Sequence, residues 1–196
     1  MVVAGSGIMG EQLSPDNAAV TLLANSIATG CGLYVLITLL VPISGAHFNP
    51  LVSLYAWRMG FIHGKTLIAY SVAQFAGAIS GIWLTHLLFA LPIVQHSSKA
   101  RHGLSIWVSE LVSTCILLAV IHIGIKTNRE NLPMLVALTV TAGYWFTSST
   151  FFANPAVTLA RSFTNTFVGI APTDILGFIS AQFIALLLIL IFVRKI

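Results

Sequence analysis

Of 196 residues, 57% are hydrophobic and only 7% are charged, with a mean hydropathy of +0.96. A soluble globular domain carries roughly a quarter charged residues, so that class is excluded and a polytopic membrane protein is expected. The net charge of +4 comes from nine Lys and Arg standing singly or in pairs, a pattern that argues against a nucleic-acid surface.

Met1 to Met9 is apolar but far short of the roughly 20 residues a spanning helix needs, and it lacks the flanks of a signal peptide. Gly10 to Asn17 is polar and turn-rich, with Ser14-Pro15-Asp16-Asn17 as a helix entry. Ala18 to Val41 is the first complete span, which Pro42-Ile43-Ser44-Gly45 is expected to break. A short helix then starts at Asn49-Pro50 and ends near Trp57-Arg58. Lys65 to Leu91 is a second span, Pro92 to Arg101 a polar connection, His102 to Ile125 a third span and Lys126 to Asn131 a charged loop. Leu132 to Ser149 is a fourth span, and Thr173 to Val193 is the last, closed by Arg194-Lys195. Cys31 and Cys115 lie in apolar helices without metal-site spacing and read as small buried hydrophobes.

Between the fourth and last spans stands Asn154-Pro155-Ala156-Val157, a second short helix start like the one at Asn49. Asn is a favoured N-cap and Pro a favoured first residue, since the cap satisfies a free amide and Pro has none. Each helix continues for two to three turns, roughly half a bilayer. One such half-helix in each half of a hydrophobic chain points to an inverted repeat with its binding site at the midplane. Backbone that leaves a helix at that depth must line something wet, so Gly45 to Phe48 and Thr150 to Ala153 are expected to border a pore. Two helix N-termini meeting there place partial positive charge at the centre and oppose cations. The amide groups of Asn49 and Asn154 are left to donate to a passing hydroxyl. Such a pore passes small uncharged hydrogen-bonding solutes and performs no chemistry.

The two boxes resemble the paired Asn-Pro-Ala boxes of the aquaporin or major intrinsic protein family. Glu110-Leu111-Val112-Ser113-Thr114-Cys115-Ile116-Leu117 resembles that family's E-x-x-x-T-x-x-L helix opening, and Ala73-Gln74-Phe75 with Ala181-Gln182-Phe183 resembles its paired third and sixth helices. The resemblance implies an all-α membrane protein, an aquaporin-like inverted repeat with two re-entrant half-helices, divided into 1–91 and 92–196. It also implies a homotetramer in membrane lipid, with small neutral solutes as its partners and no nucleic acid, cofactor or metal. Val3 to Met9 resembles only the end of the family's first helix, so that helix is expected to be incomplete, through truncation or a misassigned start. Its acidic motif, the counterpart of Glu110, is absent.

Residue by residue, the resemblance puts the pore at Asn49, Pro50, Leu51, Asn154, Pro155 and Ala156. Leu51 stands where the first box usually has Ala, adding bulk at the midplane or simply packing. His47 resembles the family's pore-lining histidine. Glu110 is expected to accept hydrogen bonds from the loop before Asn154, and Gln74 and Gln182 to bond between helices. His63, His86, His96, His102 and His122 share no spacing and read as satisfied or interfacial.

In most of the family an arginine follows the second Asn by three residues, where this chain has Val157. The other filter walls are expected at Thr29, at Ala142 or Gly143, and at Phe151. Arg161, one turn after Val157, is expected to snorkel to headgroups or meet a neighbouring subunit. A wide filter without arginine resembles bacterial branches that pass metalloid hydroxides such as arsenous acid, ahead of glycerol and water. A water-selective channel and a non-conducting truncated member are the alternatives. An intramembrane enzyme needs a nucleophile and base at matched depth, and none is found.

With both half-helices folded back, Arg58, Lys65, Lys126, Arg129, Arg194 and Lys195 fall on one face and Lys99, Arg101 and Arg161 on the other. The positive-inside rule then puts the first group and the C-terminus in the cytoplasm, for a multi-pass protein of the inner (plasma) membrane.

Overall fold

The computed structural model describes residues 1–193; Arg194 and Lys195 lie outside the described residues. The described chain is helical: α1 (Val2–Leu13), α2 (Ala18–Ser44), α3 (Pro50–Arg58), α4 (Gly64–Leu88), α5 (Leu104–Thr127), α6 (Leu132–Phe146), α7 (Pro155–Ala160) and α8 (Ile175–Val193). Single 3-10 turns at Arg129–Asn131, Arg161–Phe163 and Pro172–Asp174 join them. Among the described residues, α2, α4, α5 and the stretch Pro172–Val193 are long and apolar enough to cross a membrane.

Several boundaries differ from the sequence expectation: α6 stops at Phe146, three residues short of Ser149, and α4 at Leu88, three short of Leu91. Helix α1 continues through Gly10 to Leu13, and the turn follows it, with Asn17 Oδ1 accepting from the Val20 amide at 3.1 Å to cap α2. Pro42 does not end α2. The helix runs on to Ser44 and stops at Gly45, whose φ of +79° only glycine adopts without steric cost and whose amide bonds the Val41 carbonyl at 3.0 Å. Proline is tolerated inside such helices because neighbouring groups re-satisfy the freed carbonyl.

Small residues bring the helices together. Gly10 lies so close to Thr21 that a Cβ would sit 3.0 Å from its Cα, and Gly30 faces Thr141 across the α2–α6 contact. Asn25 fixes α1 on α2 by donating to the Val3 carbonyl at 2.7 Å and to Ser6 Oγ at 2.9 Å. Glu11, at the far end of α1, accepts from the Phe167 amide at 2.9 Å and so anchors the loop that follows α7. Cys31 is exposed on α2 rather than buried, because its position on the helix faces away from the bundle.

The half-helices α3 and α7 are the centre of the arrangement. Leu51, Val52 and Tyr55 of α3 pack with Leu117, Leu118 and Ile121 of α5 and with Leu186 of α8 into one core. Leu51 is fully buried in that core, so its bulk is spent on packing.

Candidate functional site

Each half-helix begins as its sequence dictates. Asn49 Oδ1 accepts from the Leu51 amide at 3.0 Å, and Asn154 Oδ1 from the amides of Ala156 and Val157 at 3.0 and 3.3 Å. The side-chain nitrogens then cross over. Asn49 Nδ2 donates to the Ala153 carbonyl at 2.7 Å, and Asn154 Nδ2 donates to the Phe48 carbonyl at 2.9 Å. The two boxes thus clasp each other, using one hydrogen of each NH2 and leaving the second.

The loops leading into the boxes have matching backbones. Gly45, Ala46 and Phe48 have φ of 79°, 48° and 49°; Thr150, Phe151 and Ala153, the equivalent positions, have 60°, 56° and 44°. Left-handed conformations at non-glycine residues cost about 1–3 kcal/mol each and persist only where the surroundings enforce them. For the second loop those surroundings are Glu110, which is fully buried on α5. It accepts from the Ala153 amide at 3.1 Å, from Ser149 Oγ at 3.1 Å and from Gln182 Nε2 at 2.7 Å. Gln182 Nε2 also reaches Thr158 Oγ1 at 3.0 Å. In the first loop Gln74 Nε2 bonds Ser53 Oγ at 3.0 Å, the counterpart of the Gln182–Thr158 pair, and His47 Nδ1 shares that hydroxyl at 3.0 Å. No carboxylate among the described residues stands where Glu110 stands in the second loop.

One cavity of about 420 Å³ passes both boxes. Its lining includes Phe61, Ile125 and Leu132; His47, Asn49 and Asn154; Thr29, Tyr144, Phe151, Val157 and Arg161; and Met1 to Val3 of the N-terminal segment. Pro50, Leu51, Pro155 and Ala156 do not border it. They are buried behind the asparagines, where they start and seat the half-helices.

Of the expected filter positions, the structure brings Thr29, Phe151 and Val157 together on the cavity wall. Ala142 is not there: it is exposed on the outside of α6. Gly143 lies behind Phe151, whose ring would stand 2.1 Å from an added Cβ. Beside Thr29 the α6 residue on the cavity wall is Tyr144, buried and 3.3 Å from Thr29 Oγ1 through its hydroxyl; Leu132, Val136 and Val140 line the cavity earlier along the same helix. Two residues turn a helix by about 200°, so a two-residue difference in register exchanges an outward position for an inward one. The T-V-T-A-G-Y run offers no polar stripe to fix that register from sequence alone.

Arg161 also departs from expectation. It is buried, 3% exposed, and does not reach outward to headgroups. Its Nε donates to the Val168 carbonyl, and its guanidinium lies over the Phe152 ring at 3.5 Å from the centroid. Arg101 sits over the same ring at 5.4 Å and straps the loop by donating to the Gly169 and Phe167 carbonyls at 2.7 and 3.1 Å. Burial lowers the Arg101 guanidinium from its ordinary value, but a guanidinium stays charged at neutral pH.

The remaining histidines divide. His86 is fully buried with both nitrogens engaged, on the Ile93 carbonyl at 2.7 Å and Thr164 Oγ1 at 2.8 Å. His63, His96 and His102 are exposed. His122 pairs with Tyr55 through Nδ1 at 2.6 Å, and its Nε2 is buried without a partner among the described residues.

The sequence model of the Major intrinsic protein family matches residues 1–192. The chain is 54% identical over 180 residues to Aquaglyceroporin AqpS of Rhizobium meliloti, an alignment covering 92% of this chain and 77% of that protein. It is 33% identical over 86 residues to the Propanediol uptake facilitator PduF of Citrobacter freundii, covering 44% and 32% of the two chains. Over 95 residues it is 32% identical to the Glycerol uptake facilitator protein of Pseudomonas aeruginosa, covering 48% and 34%. With spanning helices around two clasped half-helices and a family match over nearly its whole length, the chain belongs to the major intrinsic protein family.

Proposed function

We propose that this integral membrane protein is a passive channel for small uncharged solutes such as glycerol, with metalloid hydroxides such as arsenous acid passing ahead of glycerol and water. The observation that carries this is the cavity running past both asparagines, with Val157 on its wall at the position where an arginine would narrow it. A solute with lone pairs finds one unclasped amide hydrogen from each asparagine, and between them apolar walls that hold no water tightly. The two helix N-termini at the clasp oppose a cation there. The names of the rhizobial, propanediol and glycerol relatives fit this solute class. No catalysis enters this function.

In this reading the face bearing Arg58, Lys65, Lys126 and Arg129 is cytoplasmic, and the Arg161 mouth opens outward. The protein sits in the inner membrane as a homotetramer. Glu110, Gln74 and Gln182 serve as supports of the two loops, not as solute ligands.

The test is stopped-flow shrinkage and re-swelling of proteoliposomes with water, glycerol and arsenous acid. The wild type is expected to admit glycerol and arsenous acid, and Val157→Arg to block both while water flow survives. Permeability equal to empty vesicles for every solute refutes the channel. A V157R protein that still admits glycerol removes Val157 from the filter.

A further inference from the structure

We propose that Arg161 provides the fixed charge of its mouth, taking from one turn away the cation-excluding and hydroxyl-binding work for which position 157 has no side chain. The inference rests on the channel function above. Position 161 follows Val157 by four residues, on the same helix face and roughly 6 Å farther along the axis. Both residues border the cavity.

A buried guanidinium is expected to be paired, because an unpaired charge in a dry interior is very costly. Arg161 has no carboxylate within 4 Å among the described residues, where the one acid–base contact that close is His102 with Asp174. Among the described residues, only Nε of its five donors is engaged, on Val168. Phe152 supplies a stacking face rather than an acceptor. The terminal nitrogens therefore keep their donors for whatever fills the cavity. A purely structural strut to Val168 explains the Nε bond but leaves those donors unused. Arginine donates and never accepts, so the site selects lone-pair donors: water, polyols and undissociated metalloid hydroxides. It repels sodium and hydrated protons.

Arg101 adds a second positive charge over the same ring. Its Nε and one terminal nitrogen are spent on backbone carbonyls, however, which makes it a brace for the loop and leaves the solute to Arg161.

The experiment measures sodium leak and glycerol entry in the same proteoliposomes for wild type, Arg161→Gln, Arg161→Lys and the double variant V157R/R161Q. Wild type is expected to admit glycerol and hold sodium out. R161Q should leak sodium about tenfold faster or more while still admitting glycerol. V157R/R161Q should be tight to sodium again, because charge is restored one turn away. A merely structural role for Arg161 predicts no such rescue.

R161K keeps a charge and should be tight at mildly acidic pH, then leak as the pH rises to a point below the ordinary lysine value of about 10.4, because burial and the neighbouring Arg101 disfavour its charged form, while wild type stays tight. That comparison decides the matter should R161Q fail to fold. R161Q admitting glycerol with sodium held out as in wild type overturns the proposal, as does R161K tight across the whole range. A wild type that admits no solute overturns the channel function itself, a result separate from either of these.

Discussion

Glu110 is the support whose removal has the most calculable consequence. Alanine at this position takes the acceptor from the Ala153 amide, the Gln182 amide and the Ser149 hydroxyl. Ser149 can turn to Ser109 Oγ, 3.4 Å away, but the two N–H groups have no other acceptor at hand. Gln182 keeps its 3.0 Å bond to Thr158 with one hydrogen and orphans the other. Each buried donor left unmet costs about 1–3 kcal/mol, so Glu110→Ala should cost about 2–6 kcal/mol before the cavity it opens is counted.

Glutamine at 110 separates hydrogen bonding from charge. Its oxygen can take the place of Oε2, which serves both amides, and its nitrogen can donate to Ser149 in the place of Oε1. The loss is then the difference between charged and neutral hydrogen bonds, about 1–2 kcal/mol. Unfolding midpoints in mixed micelles titrated with a denaturing detergent should therefore run wild type, E110Q, E110A, with the larger gap between the last two. Glycerol entry should fall in E110A, where Ala153 is free to leave its left-handed conformation, and largely survive in E110Q. An E110A protein as stable as wild type would refute the support role. E110Q as damaged as E110A would show that the charge, and not the acceptor geometry, is what the loop needs.

Gly143→Ala should press a methyl group into the Phe151 ring and drive it towards the cavity; glycerol entry should drop well below water flow, and unchanged glycerol entry would mean that Phe151 is not a wall of the filter. Gly30→Ala should destabilise by about 1–3 kcal/mol because its Cβ falls 1.9 Å from Thr141 Oγ1, and Thr141→Ala should recover most of that loss in the double variant. Additive losses in the same detergent titration would contradict that α2–α6 contact.

The long helices, the caps and the paired half-helix starts were legible in the sequence because each rests on local chemistry: apolar length, the Asn cap, the Pro that follows it; the clasp was not, since it joins side chains and carbonyls more than a hundred residues apart. What escaped depended on rotation about a helix axis or on partners far along the chain. Pro42 reads as a break, yet the helix persists until Gly45 offers a left-handed exit. Tyr144 was missed because α6 is apolar all round, so only packing against Phe151 and Thr29 sets which residue turns inward. Arg161 reads as a headgroup anchor because a charge beside a polar Ser-Phe-Thr-Asn run ordinarily faces water. The Phe152 ring and the Val168 carbonyl, seven residues on, draw it inward instead, and neither is marked as a partner by spacing.

The internal symmetry carries the last step. Both loops reach the same left-handed backbone, but one is held by a buried carboxylate and the other, among the described residues, by the Ser53 hydroxyl shared between His47 and Gln74. What the two have in common is the clasp, in which each asparagine bonds a carbonyl that the other loop presents only when it is in the strained conformation. Loss of one loop's geometry therefore removes an acceptor from the opposite box, and the boxes are stable as a pair rather than singly. The filter lacks this symmetry. One arginine at position 157 would set width and charge together, whereas the proposed division gives width to Val157 and charge to Arg161. Size selection and cation exclusion should then respond to separate substitutions, V157R to the first and R161Q to the second.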